Sequence, residues 1–167
     1  MCGSELTPLP EGVRRVAAFL QDAGHAETPR MLDGAARTAQ QAADALGVQI
    51  GQIAKSVVFR RRADERAVLV VTAGDRRVDE ARVAALVGPI GRADAVFVKA
   101  KTGFAIGGVS PVAHAEPPVM LFDRSLERFG DIWAAAGHPN AVFRAAPADM
   151  ARLAGAPVED VTQEPAE

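Results

Sequence analysis

Residues 53–72 read IAKSVVFRRRADERAVLVVT, two apolar runs on either side of a polar, arginine-rich connection. Residues 53–59 and 67–72 are rich in valine, isoleucine and threonine, whose branched side chains suit a pleated surface better than a helix. The two runs read as strands of a β-hairpin, with residues 60–66 as its tip. Immediately upstream, Thr38-Ala-Gln-Gln41 has the form of a capping box, with Thr38 as N-cap and Gln41 reaching back to it. The helix it opens runs to Leu46 and stops at Gly47. Further upstream, Val13, Val16, Ala17, Phe19 and Leu20 recur at helical spacing in residues 11–23, and Gly24 is a natural stop. Residues 26–32 are compatible with an extended segment.

Downstream, residues 79–87 read as a short helix closed by Gly88-Pro89, residues 95–98 as a short strand, and residues 119–122 as another. A helical turn is expected at 125–129. Residues 132–136 and 141–144 flank Gly137-His-Pro-Asn140 and read as a second hairpin. Pro147 suits the first position of a last helix that runs to Leu153 and Gly155. Helices mixed with hairpins give the expected fold class: α/β (α+β), a single domain with a mixed, mostly antiparallel β-sheet and surrounding helices. The folded domain is expected over 11–162, with loose polar ends at 1–10 and 163–167.

Composition excludes several classes of function. The 167 residues are 49% hydrophobic and 24% charged, which suits one globular domain. No apolar run approaches the ~18 residues that span a bilayer, and the first residues lack the basic cluster and apolar core of a secretory signal. A formal charge of −2 argues against nucleic-acid binding by bulk charge. Cys2 is the only cysteine, so no intrachain disulfide and no Cys-based metal site can form, and a reducing, cytoplasmic setting is the default. His25, His114 and His138 are far apart in sequence and do not form a zinc-type pair. No phosphate-loop, dinucleotide or Gly-x-Ser-x-Gly signature is present, and no helix-turn-helix pattern suggests a DNA-binding regulator.

Four features remain. The first is Gly103-Phe-Ala-Ile-Gly107-Gly108-Val-Ser110-Pro111. Its backbone amides can form a nest for a phosphate or an oxyanion, or the glycines can simply serve a tight turn; spacing alone favours the turn. Lys55, one of only three lysines, faces either a cleft or, as an edge-strand lysine, water. Asp123 either orients a substrate group or caps the turn after its strand. Ser110 and His114 have readings of the same two kinds: hydrogen-bond donor or turn cap, proton carrier or surface histidine. The fourth feature is the cluster Arg60, Arg61, Arg62, Arg66, Arg76 and Arg77, which either steers an RNA backbone or forms a solvated face.

In their order along the chain, AKSVVF, AVLVVTAGDRRVD, TGFAIGGVSPV and VMLFDRSL resemble the YbaK/EbsC/ProX family, free-standing relatives of the editing domain of bacterial prolyl-tRNA synthetases. The GxxxGG segment at 103–108 is the most specific mark, and IWAAAGHPNAVF resembles the family's C-terminal hairpin. The resemblance implies a trans-editing aminoacyl-tRNA deacylase. It would hydrolyse the ester of a mischarged tRNA, tRNA-Pro carrying a small amino acid (Ala, Cys, Ser/Thr or a non-protein analogue), by metal-free, substrate-assisted attack of water. It implies catalytic roles for Lys55, Gly107 and Gly108, with the two glycine amides as oxyanion donors. Substrate contacts fall to Gly103, Ile106, Val109, Ser110, Asp123 and His114, and Arg30-Met-Leu32 is assigned to the pocket edge. No metal and no cofactor are implied. The implied partners are the 3′-terminal aminoacyl-adenosine of tRNA and prolyl-tRNA synthetase, with no membrane and no DNA. The alternative is a non-catalytic module of the same fold that holds the tRNA acceptor end or a synthetase partner.

Overall fold

The computed structural model describes residues 9–33, 36 and 38–163. The expected loose ends, and Cys2 with them, lie largely outside these residues. Helix α1 (Glu11–Asp22) buries Val13, Val16 and Leu20 on one face and ends before Gly24, at φ +76°. Strand β1 (Arg30–Met31) follows, then α2 (Ala39–Leu46). The capping box at its start is complete: Thr38 Oγ1 accepts the Gln41 N–H at 3.1 Å, and Gln41 Oε1 accepts the Thr38 N–H at 3.3 Å. Such a cap contributes about 1 kcal/mol.

The expected hairpin forms from β2 (Ile53–Arg61) and β3 (Ala67–Ala73), antiparallel with Val57 opposite Val70. β3 is buried along its whole length because it is covered on both faces. Leu69 and Val71 enter the main core with Val13, Val16 and Leu20, while Val68 and Val70 meet Val83, Leu121 and Val161 on the other side. Helix α3 (Glu80–Val87) is capped by Asp79, and β4 (Ile90–Arg92) pairs with the far end of β2.

Residues 95–98 are not a strand. They open helix α4 (Ala95–Thr102), because Asp94 accepts the Phe97 N–H at 2.8 Å and fixes the first turn. Four apolar residues fit either element, and the cap decides between them. The chain continues through β5 (Val119–Asp123), a 3-10 turn (Arg124–Arg128), the hairpin β6 (Ile132–Ala135) and β7 (Ala141–Ala145), α5 (Pro147–Ala154) and β8 (Val158–Glu159). The strands β4 and β8 are too short to register as patterns in the sequence.

The eight strands among the described residues join one sheet in the order β1-β7-β6-β2-β3-β5-β8, with β4 also on β2. The pairs β2–β6, β3–β5 and β5–β8 are parallel and the other four antiparallel. This is the mixed, mostly antiparallel sheet that the sequence suggests. No described helix is long and apolar enough to cross a membrane.

Candidate active site

The sheet contains a split. β2 and β6 run parallel but share only the pairs Ile53↔Trp133 and Ala54↔Ala134. On the same edge of β2, β4 takes over only at residues 59–61. Residues 55–58 therefore have a ladder partner on the β3 side alone. Strands that part in this way leave a gap in the sheet that a ligand can enter. A pocket of about 190 Å³ occupies it. Lys55 and Ser56 of β2 and Ala134 and Ala135 of β6 form the sides of the split. Ala39 and Ala42 of α2, Trp133 and Val142 line it with apolar surface, and Thr38, Gly107, Val109 and Pro139 also border it.

The glycine loop is held at both ends. At its start Thr102 Oγ1 donates to the Val98 carbonyl at 2.7 Å and accepts the Phe104 N–H at 3.1 Å, while Gly103 ends α4 at φ +82°. Arg15 of α1 clamps the loop by donating to the carbonyls of Gly103, Thr102 and Ala113. Its guanidinium also stacks over the Phe104 ring, 4.6 Å from the centroid. Between these anchors, residues 105–108 form a tight turn: the Gly108 N–H donates to the Ala105 carbonyl at 3.0 Å, with Gly107 at φ +96°. A positive φ at the third position is the reason a glycine stands there.

The turn changes the expected donor set. The Gly108 amide is spent inside the turn and is not a bare donor. The amides of Gly107 and Val109, both bordering the pocket, donate to no protein group among the described residues. Gly108 is needed for contact: a Cβ there would lie 2.9 Å from the backbone of His138 in the β6–β7 turn.

Lys55 is half-buried beside the pocket. Its Nζ donates to the Arg76 carbonyl at 3.2 Å, which leaves two of its three N–H groups for a ligand. Burial holds its pKa below the ordinary lysine value; Asp75 opposes the shift and Arg77 adds to it.

Six other expected site residues do not border the pocket. Ser110 is fully buried and its Oγ accepts the Val112 N–H, so it caps a turn. The His114 Nε2 lies 2.7 Å from the Ser110 carbonyl, and its ring meets Phe104 edge-on. Gly103 is a helix cap. Leu32 packs beneath α2 and donates its N–H to the Asn140 carbonyl. Asp123, 1% exposed, accepts from the Val161 N–H at 2.9 Å, the Ser125 N–H at 3.1 Å and the Thr162 hydroxyl at 3.2 Å, as well as from the Ser125 hydroxyl. Through the Ser125 N–H it caps the 3-10 turn, and through Val161 and Thr162 it ties β5 to the segment after β8. Ile106 stands exposed at the tip of the turn.

Two predictions follow from these placements. Asp123→Ala strands the buried Val161 amide, so stability should fall by about 3 kcal/mol in urea melts with no loss of activity per folded molecule. Burial pushes the His114 pKa below its ordinary 6.5. Below that value the unfolded chain takes up a proton that native His114 resists. Stability therefore falls as pH drops from 6.5 toward the native pKa and levels off beyond it. Melts at about pH 7.5 and about pH 5 should show a smaller loss in His114→Gln than in the parent protein.

A mixed sheet split beside a clamped glycine loop defines the class: residues 33–153 match the aminoacyl-tRNA editing domain family. The chain belongs to that family, as the residues quoted above suggested. Uncharacterized protein YwhH of Bacillus subtilis (strain 168) is 34% identical over 117 residues, 70% of this chain and 74% of that protein. The crystal structure of a proposed trans-editing enzyme for prolyl tRNA synthetase shares 38% identity and a TM-score of 0.88, over 94% of this chain and all of that one. The hypothetical protein APE2540 shares 29% identity and a TM-score of 0.81, over 89% of this chain and 99% of that one.

Proposed function

We propose that this protein is a trans-editing aminoacyl-tRNA deacylase that removes a small amino acid from mischarged tRNA, tRNA-Pro first among them. One observation carries the reading: a mostly apolar pocket at the split in the sheet, bordered by a half-buried lysine and by two loop amides without protein partners among the described residues. Water adds to the ester carbonyl, assisted by the neighbouring ribose hydroxyl of the terminal adenosine. Gly107 and Val109 amides hold the oxyanion. The acyl–oxygen bond then breaks, the ribose oxygen takes the proton, and free amino acid and tRNA leave. One well-placed oxyanion donor is worth about 2.7–4 kcal/mol, and the ester is already activated, so a covalent nucleophile is not required. Lys55 holds the carbonyl oxygen or the phosphate of the terminal nucleotide.

The pocket wall of Ala39, Ala42, Trp133 and Val142 is mostly apolar, which suits a small side chain, and the buried Ser56 hydroxyl, which has no partner among the described residues, also lines the pocket. Such a sieve is needed because one methylene is worth only about 1–3 kcal/mol to a synthetase. The substrate places the protein in the cytoplasm, in the service of prolyl-tRNA synthetase. Deacylation in ¹⁸O-water tests the mechanism: label should enter the released carboxylate and not the ribose. Binding of charged tRNA without release of amino acid would identify a non-catalytic module instead.

A further inference from the structure

Six arginines cluster in the sequence around the β2–β3 hairpin, and the structure separates them. At the tip, Arg61 forms a two-point pair with Asp64, Arg60 lies 3.5 Å from Glu65, and Arg62 and Arg66 donate to the carbonyls of Ile90 and Pro117. These groups are engaged by the protein itself. Arg77 is exposed and makes no side-chain hydrogen bond or ion pair among the described residues. It borders a second, open depression with Arg76, Val57, Phe59, Val78 and Glu80. Lys55 borders both this depression and the pocket at the split.

The charge there is mostly of one sign. Glu80 is the one acid that lines the depression beside Lys55, Arg76 and Arg77; Asp75, 4.0 Å from Arg76 Nε, is held by both Nη atoms of Arg128, at 2.7 and 3.0 Å. The depression follows β2 from Lys55 to Phe59, about 13 Å at the usual strand rise. Its floor, Val57 and Val78, is apolar. An apolar floor with a cationic rim suits single-stranded nucleic acid, whose bases and sugars pack while its phosphates meet the rim.

Resting on the deacylase reading, we propose that Arg77, with Arg76, binds the phosphates of the single-stranded acceptor end of tRNA as it runs along β2 toward Lys55, and that the hairpin-tip arginines take no part. Arg77→Glu should lower kcat/KM on a mischarged RNA minihelix about tenfold, the scale of one lost charge-assisted contact. The loss should shrink to less than about twofold on 3′-aminoacyl-adenosine, which carries no such phosphates. Binding of an uncharged oligonucleotide with the acceptor-end sequence, followed by anisotropy against salt, should weaken with a slope shallower by about 0.7. Arg77→Lys should restore most of the binding, and Arg61→Gln should bind as the parent protein does.

Equal losses on both ester substrates, or an unchanged salt slope in Arg77→Glu, would overturn the assignment. If the parent protein hydrolyses no ester, the deacylase reading fails, and the binding series still decides the fate of Arg77.

Discussion

Gly108→Ala should lower kcat/KM for deacylation by about 10² or more, with the fold retained. The added methyl would sit 2.9 Å from the Cα and N of His138 and 3.0 Å from its C, closer than real side chains approach backbone. The loop and the β6–β7 turn would have to part, and both border the pocket through Gly107, Val109 and Pro139. Overpacking of this kind costs about 1–3 kcal/mol, which a domain of this size survives. The displaced amides of Gly107 and Val109 would no longer be held in place for the oxyanion. Gly107→Ala acts by another route. Its methyl has room, with Pro139 Cγ at 3.7 Å, but φ is +96° and a side chain there is strained. Single-turnover rates and denaturant melts on both variants separate the two causes: Gly108→Ala should lose more activity per unit of stability lost.

The second large effect belongs to Lys55. Lys55→Met keeps the aliphatic stem and removes the ammonium, so deacylation should fall by about 10²-fold while stability changes little. Because burial holds the lysine pKa below its ordinary value, the ammonium is lost earlier on the alkaline side than for a free lysine. Enzymatic rate above the uncatalysed background should therefore decline before pH 10.5 in the parent protein, and Lys55→Met should show no such limb. A flat profile in the parent, or full activity in Lys55→Met, would remove the ammonium from the chemistry.

Most of the fold was legible because the decisive signals are local. The Thr38 capping box, the valine-rich runs of β2 and β3, the Gly24, Gly47 and Gly155 stops and Pro147 at N1 each act over a few residues. Residues 95–98 misled because AVFV is apolar in either period, and only Asp94 as a cap tells helix from strand. The site was legible in part. Lys55, Gly107 and Val109 do meet at one pocket. Asp123, Ser110 and His114 share their residue types with catalytic groups but make their hydrogen bonds inside the protein, away from the pocket. Trp133, Pro139 and the α2 alanines were missed because they join the site only through the β2–β6 register, a pairing across some 80 residues that no local pattern encodes. Arg15, distant in sequence from the loop it clamps, was invisible for the same reason.

The central claim is tested most directly by incubating the purified protein with tRNA-Pro carrying alanine, cysteine, serine, threonine or proline and following loss of the ester. The account predicts that at least one small amino acid is released well above the rate in buffer while prolyl-tRNA persists, and that the same release is abolished in Gly108→Ala. Decay of every ester at the buffer rate, or equal release of proline, would contradict it.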